Sequence, residues 1–258
     1  MEVELKSRYL KDFIKEITYK NRTPHDIKAL TLLDDVSTNP ERVMYPGEKL
    51  YRCRIIKSGD KINVEPNFYG FNAQGSFVPP VQYTRDMRAN YRYIPYLYAA
   101  NNPYISFVEV RPRLGAKVSV ATIVVKENLR LLDFTNLNKP TKMSDAKVNL
   151  FSDLSSLFSK PVTEEDDISD YIPTQFIAEY AKNLKYDGIA FRSSLVPEIN
   201  ESSLDRFNVV VFNFDRCEPV KSNVFETTMI DFESKQVDKD SECFSIQSYI
   251  SELMGSGF

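Results

Sequence analysis

Two late runs, Gly188–Phe191 and Asn208–Phe214 (NVVVFNF), are apolar enough to read as central strands, and a sheet able to bury them dominates any fold this chain adopts. Val118–Val125 (VSVATIVV) adds a strand by its β-branched density, and Lys49–Ile56 (KLYRCRII) another after the turn at Tyr45-Pro46-Gly47. Between the first and last of these strands, Ile172, Phe176, Ile177, Tyr180, Ala181 and Leu184 trace one helical face that stops before Asp187-Gly188. Upstream, Leu5, Tyr9, Leu10, Phe13, Ile14 and Ile17 recur at helical spacing, and Thr23-Pro24 opens a second expected helix. A helical lead-in, then strands with one strong late helix, is the order of an α+β domain rather than a doubly wound sheet.

Other segments read less regularly. Asn63–Pro80 is rich in breakers and aromatics and predicts a long loop near the site. Asn102-Pro103 places a capping residue before a first-turn proline, although the β-branched and aromatic residues that follow pull against a helix. Thr163–Asp166 has the form of a capping box, the acidic run Glu164–Asp170 reads as a solvated helix start rather than a metal site, and the polar tail from about Lys235 reads as a loosely docked helix.

Composition narrows the chemistry. With 258 residues, 42% hydrophobic and 27% charged, the chain can bury roughly 70–75% of its unfolded surface. A net charge of −3 gives no bulk attraction for phosphate backbones, so direct nucleic-acid binding is not expected and any anionic ligand must be held locally. Three scattered cysteines fit a reducing compartment. The charged N-terminus lacks a signal-peptide core, and no window reaches the ~18 apolar residues of a membrane span, so the expectation is a soluble cytoplasmic protein. The single histidine, His25, argues against His-based triads and zinc sites; G-x-G-x-x-G, P-loop and C-x-x-C motifs are missing. No metal or bound cofactor is expected.

What remains is a series of polar residues inside structured segments. Arg88 (in MRAN), Tyr98 (in IPYLYAA) and Glu109 (in FVEVRP) follow one another ten and eleven residues apart. Far downstream come LLDFT, Tyr186-Asp-Gly-Ile-Ala-Phe-Arg-Ser-Ser and Asn208-Val-Val-Val-Phe. With the strand YRCR and the pair Pro79-Pro80, this order, from about Tyr51 to Phe214, resembles the RES-domain proteins, named for their arginine, glutamate and serine. One departure is visible: the family usually carries glycine where this chain has Met87.

The resemblance implies an ADP-ribosyltransferase-like split β-sheet core, with a helical lead-in over 1–45, a RES domain over 46–220 and a C-terminal extension over 221–258. It further implies degradation of NAD, as the toxin of a bacterial toxin–antitoxin pair with an Xre-like antitoxin. Carried over by motif, the site residues are Arg52, Arg88, Tyr98, Glu109 and Ser193. Period alone does not separate Arg52 from Arg54, which share a strand face, and Ser193 and Ser194 are separated only by the alignment. These residue types suit the reaction. A carboxylate at Glu109 stabilises the oxocarbenium-like ribose as nicotinamide leaves and can bind a ribose hydroxyl. Arg52 and Arg88 offer planar forks for pyrophosphate oxygens. Tyr98 can stack on nicotinamide or ribose, and Ser193 can orient Glu109 or substrate. The acceptor is water or inorganic phosphate; transfer of ADP-ribose to a macromolecule, and a non-catalytic binding module, are the rival readings.

Overall fold

In the computed structural model the residues described are 4–135, 142–160, 167–195 and 206–230, with the side chain of Ile168 left out. Ten strands form one sheet: β1 (Glu41–Met44), β2 (Lys49–Ile55), β3 (Asn63–Glu65), β4 (Phe68–Gly70), β5 (Leu97–Ala100), β6 (Lys117–Val125), β7 (Leu129–Asp133), β8 (Gly188–Phe191), β9 (Asn208–Val211) and β10 (Cys217–Glu226). Their order is β1-β7-β8-β9-β5-β2-β6-β10-β4-β3, and with the helices below this makes a mixed α+β architecture. At the centre the sheet nearly parts, because β2 and β5 pair only through Tyr51 and Ala100. By contrast β2 runs against β6 over seven residue pairs. Two sub-sheets of five strands therefore meet at one slender junction.

The late apolar runs are interior strands, as their composition predicts. β8 lies between β7 and β9, and successive residues enter two different cores. Ile189 and Val210 face a core built with helices, whereas Ala190, Val209 and Val211 pack with Leu50, Leu97 and Ile123. Strands buried on both faces have no solvent side to mark with polar residues.

The helical core is filled by α1 (Arg8–Tyr19), α2 (Lys28–Asp34), α5 (Asp145–Ser159) and α6 (Ile172–Asn183). In α1 the Ser7 hydroxyl accepts the Leu10 N–H, and Leu10, Phe13 and Ile17 are buried. The second helix starts at Lys28 rather than at Thr23-Pro24. Asn21 Oδ1 instead accepts the Thr23 N–H at 3.0 Å, and Asp26 takes a left-handed φ of 56°, so that stretch is a turn. The lead-in also contributes strand β1 to the sheet edge, where Arg130 of β7 forms a two-pronged pair with Glu41.

Helix α5 had no clear signal in the sequence. Its Lys147 is buried, donating to the Asp35 carbonyl at 2.7 Å and the Thr38 hydroxyl at 2.6 Å, and Asp153 accepts the Ser7 N–H at 2.6 Å. These bonds bind the lead-in to the middle of the chain. The expected loop at 63–80 contains the hairpin β3–β4 and a helical turn, α3 (Ala73–Ser76). Pro66-Asn67 is the two-residue link, with Asn67 at φ 71°, a position that asparagine tolerates. Strand β10 runs through position 220, the expected end of the domain, to Glu226. Thr163–Asp166 and the tail beyond Ile230 lie outside the described residues.

The YDG motif is structural. Tyr186 is buried with its hydroxyl donating to Glu41 at 2.8 Å, while Asp187 accepts from the Arg130 N–H, Asn213 Nδ2 and Arg216 Nη1 at 2.6–2.9 Å. A Cβ on Gly188 would stand 2.4 Å from the Val210 carbonyl oxygen.

Candidate active site

A cleft of about 760 Å³ lies beside the weak junction of the two sub-sheets. Arg52 comes to it from β2, Tyr98 from β5, Glu109 from the end of α4 (Pro103–Glu109), and Arg88 from the turn before β5. Four of the five residues expected from the sequence thus converge on one cavity. Ser193 is the exception: its hydroxyl accepts the Leu195 N–H at 3.2 Å in the turn after β8, and the neighbouring Ser194 lines the cleft instead.

Arg52 and Arg54 share a strand face but have different surroundings. Arg54 donates to the Gly75 carbonyl and stands 4.1 Å over the Phe71 ring, tied to the α3 turn. Arg52 lines the cleft with its Nη1 buried and without a hydrogen-bond partner. Burial, together with the like charge of Arg54, pushes its pKa down to about 10. A cation so placed is costly to keep and is relieved by an anion entering the cleft.

Arg88 is anchored by its own protein. Its Nη1 donates to the Leu157 carbonyl at 2.8 Å and also to those of Phe158 and Lys160, capping the C-terminus of α5. The turn that carries it is pinned on all sides. Met87 and Asn90 exchange backbone hydrogen bonds, and Gln175 of α6 donates to both of their carbonyls at 2.9 Å. Buried Asn90 donates in addition to the Arg85 and Tyr91 carbonyls. Met87 does not have a positive φ, so the turn does not require the glycine usual in the family.

Tyr98 supports this same turn. Its hydroxyl accepts the Ala89 N–H at 3.1 Å and donates to Asn90 Oδ1 at 2.8 Å, and burial pushes its pKa up. One edge of the ring system is therefore committed to holding the Arg88 turn, while the residue still lines the cleft.

Glu109 differs from its expected setting. The apolar run that contains it predicts a buried carboxylate, yet the run is helical and Glu109 is its last, exposed residue. Asn102 Oδ1 caps the helix by accepting from the Tyr104 and Ile105 N–H groups, which decides the local conflict in favour of helix. After Glu109 the chain turns away through Arg111 at φ 46°. Asn208 Nδ2, from the first residue of β9, donates to Glu109 Oε1 at 2.7 Å.

The lining carries Arg52, Arg85, Arg88, Arg111, Lys160 and Arg192 against Asp86 and Glu109, a local cationic excess in a chain of net charge −3. Tyr83, Tyr171, Phe158 and Phe191 add aromatic surface. The arrangement can hold an anionic, aromatic-bearing ligand and present one carboxylate to it. Asn90, Asn208, Arg111 and Arg192 lie within MRAN, NVVVF, FVEVRP and YDGIAFRSS, motifs whose order alone assigns these four residues no role. Cys53 and Cys217 are buried thiols that burial pushes up to about 11, which fits packing rather than reactivity. Among the described residues no cluster of three or more His, Cys, Asp or Glu is placed to hold a metal, and no helix is long and apolar enough to cross a membrane.

The model of the RES domain matches residues 53–229, more than half of the chain, and the protein belongs to the RES domain family. No curated protein matches it. Among solved structures it is similar to a chain of the M. tuberculosis MbcT–MbcA toxin–antitoxin complex, at 15% identity and a TM-score of 0.44, over 78% of this chain and 93% of that one.

Proposed function

We propose that this protein cleaves NAD at the bond between nicotinamide and ribose, with water or inorganic phosphate as acceptor. The observation that carries the reading is the exposed Glu109 carboxylate, oriented by Asn208, opening on the same cleft as the uncompensated Arg52. In the reaction the C1′–N bond breaks and its electron pair leaves with neutral nicotinamide. The ribose becomes oxocarbenium-like, and the Glu109 carboxylate stabilises the positive charge that develops there. An oxygen of water or phosphate then bonds to C1′, giving ADP-ribose with release of a proton, or ADP-ribose phosphate. Arg52 answers the pyrophosphate charge, and Arg88, held by α5, adds its cationic charge to the same cleft wall.

The core is an ADP-ribosyltransferase-like split sheet, a reading supported by the single-pair junction between its halves. The biological role that goes with this activity is that of a bacterial toxin acting in the cytoplasm and restrained by a cognate Xre-like antitoxin. The deciding experiment incubates purified protein with labelled NAD, with and without phosphate, beside the Glu109→Gln variant, and identifies the products. Glu109-dependent NAD loss with free ADP-ribose or its phosphate is expected. Label retained on macromolecules in cell extract would replace this reading with transfer, and no NAD loss under any condition would overturn it.

A further inference from the structure

We infer that Asn208 is a positioning residue for Glu109, fixing one carboxylate oxygen so that the other is presented to the ribose; this rests on the NAD-cleavage reading above. Glu109 ends a seven-residue helix, at the pole where the aligned peptide dipoles disfavour a carboxylate, and it is exposed. An exposed glutamate at a helix end ordinarily samples several rotamers. Here Asn208 Nδ2 donates to Oε1 at 2.7 Å, a charge-assisted bond that selects one of them.

The donor is itself immobile. Asn208 is 8% exposed, and its backbone is paired on both sides, with Phe191 of β8 and Ala100 of β5. One residue earlier, the Phe207 N–H donates to Asn101 Oδ1 at 2.9 Å and the Phe207 carbonyl accepts from the Asn101 N–H at 3.1 Å. Asn101 immediately precedes Asn102, which caps α4. Adjacent asparagines thus fix the start of β9 and the start of α4 to each other, and Asn208 closes the loop onto the far end of the same helix. An amide suits this task because it donates without adding charge or competing for a proton. Aspartate at this position would face Glu109 with a like charge, and serine would be too short to reach.

The geometry predicts a loss concentrated in turnover. A carboxylate freed from one rotamer still meets bound substrate but is correctly placed for a smaller fraction of the time. Asn208→Ala is expected to lower kcat for NAD about 10- to 100-fold with KM changed less than about threefold. In the Glu109→Gln background the same substitution should cost little more, because the two residues act as a unit. Crystal structures of the wild type and of Asn208→Ala provide a readout that needs no activity: Glu109 should keep one rotamer in the former and leave it in the latter. Full additivity of the two substitutions, or an unchanged Glu109 rotamer in Asn208→Ala, would overturn the inference. A wild type that leaves NAD intact would overturn the proposed function, while the crystallographic comparison would still judge the Asn208–Glu109 contact. Should Asn208→Ala fold poorly, Asn208→Ser keeps a small polar residue at the strand and serves the same comparison.

Discussion

The Tyr98 hydroxyl donates to Asn90 Oδ1 at 2.8 Å, joining a sheet strand to the turn that carries Arg88. Because the same oxygen accepts the Ala89 N–H, Tyr98→Phe removes two hydrogen bonds and leaves a partly enclosed N–H and amide oxygen unsatisfied. The expected result is a stability loss of about 1–3 kcal/mol in urea unfolding, accompanied by reduced NAD cleavage. A variant of unchanged stability but lower activity would instead assign Tyr98 to substrate contact alone.

Arg52 predicts the opposite coupling. Arg52→Met removes a half-buried cation whose enclosed Nη1 has no partner while keeping most of the apolar volume, so the fold should gain on the order of 1 kcal/mol. Affinity for NAD, read by calorimetric titration with the Glu109→Gln background preventing turnover, should fall at least about tenfold. Destabilisation of the Arg52→Met protein would show that the guanidinium serves the fold rather than a ligand.

Gly188 tests the structural reading of the YDG motif. Alanine there would bring its Cβ to 2.4 Å from a backbone oxygen and 2.9 Å from a Leu131 methyl, inside a strand flanked on both sides. Gly188→Ala is expected to cost about 1–3 kcal/mol, visible as a lowered thermal midpoint. An unchanged midpoint would contradict the close approach of β8 and β9.

The edge strand β1 gives a pH signature. Burial alone would raise the Glu41 carboxyl, but hydrogen bonds from Arg130 and Tyr186 outweigh it and hold the pKa below the ordinary glutamate value. A depressed folded-state pKa stabilises the protein above the unfolded value, near pH ~4.3, and that contribution disappears as pH falls through the folded value. Wild type should therefore unfold at higher urea than Glu41→Gln at pH 7, with the difference closing toward pH 3. A difference independent of pH would assign the effect to packing.

What the sequence disclosed, and what it concealed, follows from where each element is buried. The two-sided strands β8 and β9 are apolar runs, β6 is dense in β-branched residues, and α6 shows its face by period, so all of these were legible. Helix α5 was not, because serine, aspartate and asparagine interrupt Leu150, Phe151, Leu154, Leu157 and Phe158 and lower helix propensity; its Ser144 cap was the available clue. Strand β10 carries Pro219 at a register shift, and a proline inside a run argues against a strand unless it sits at such a bulge. At the site, motif order brought Arg52, Arg88, Tyr98 and Glu109 together, yet nothing in linear sequence distinguishes Ser194 from Ser193, since the turn after β8 decides which hydroxyl reaches the cleft. Asn208 was equally silent, because its role depends on a contact 99 positions away.

The interlock of α1 and α2 with α5 has a consequence for how such a chain is inherited and cut. The family match begins at residue 53, but Leu10, Phe13, Ile17, Leu30 and Leu33 fill the same apolar interior as Leu154, Ile177 and Ile189. The unit recognisable by ancestry is therefore smaller than the unit that shares one apolar interior. A fragment trimmed to the homologous boundary would strip β1 from the edge of β7 and expose the apolar faces of α5 and α6 that α1 and α2 cover, so gene fusions or truncations that keep this interior closed leave the preceding helices attached.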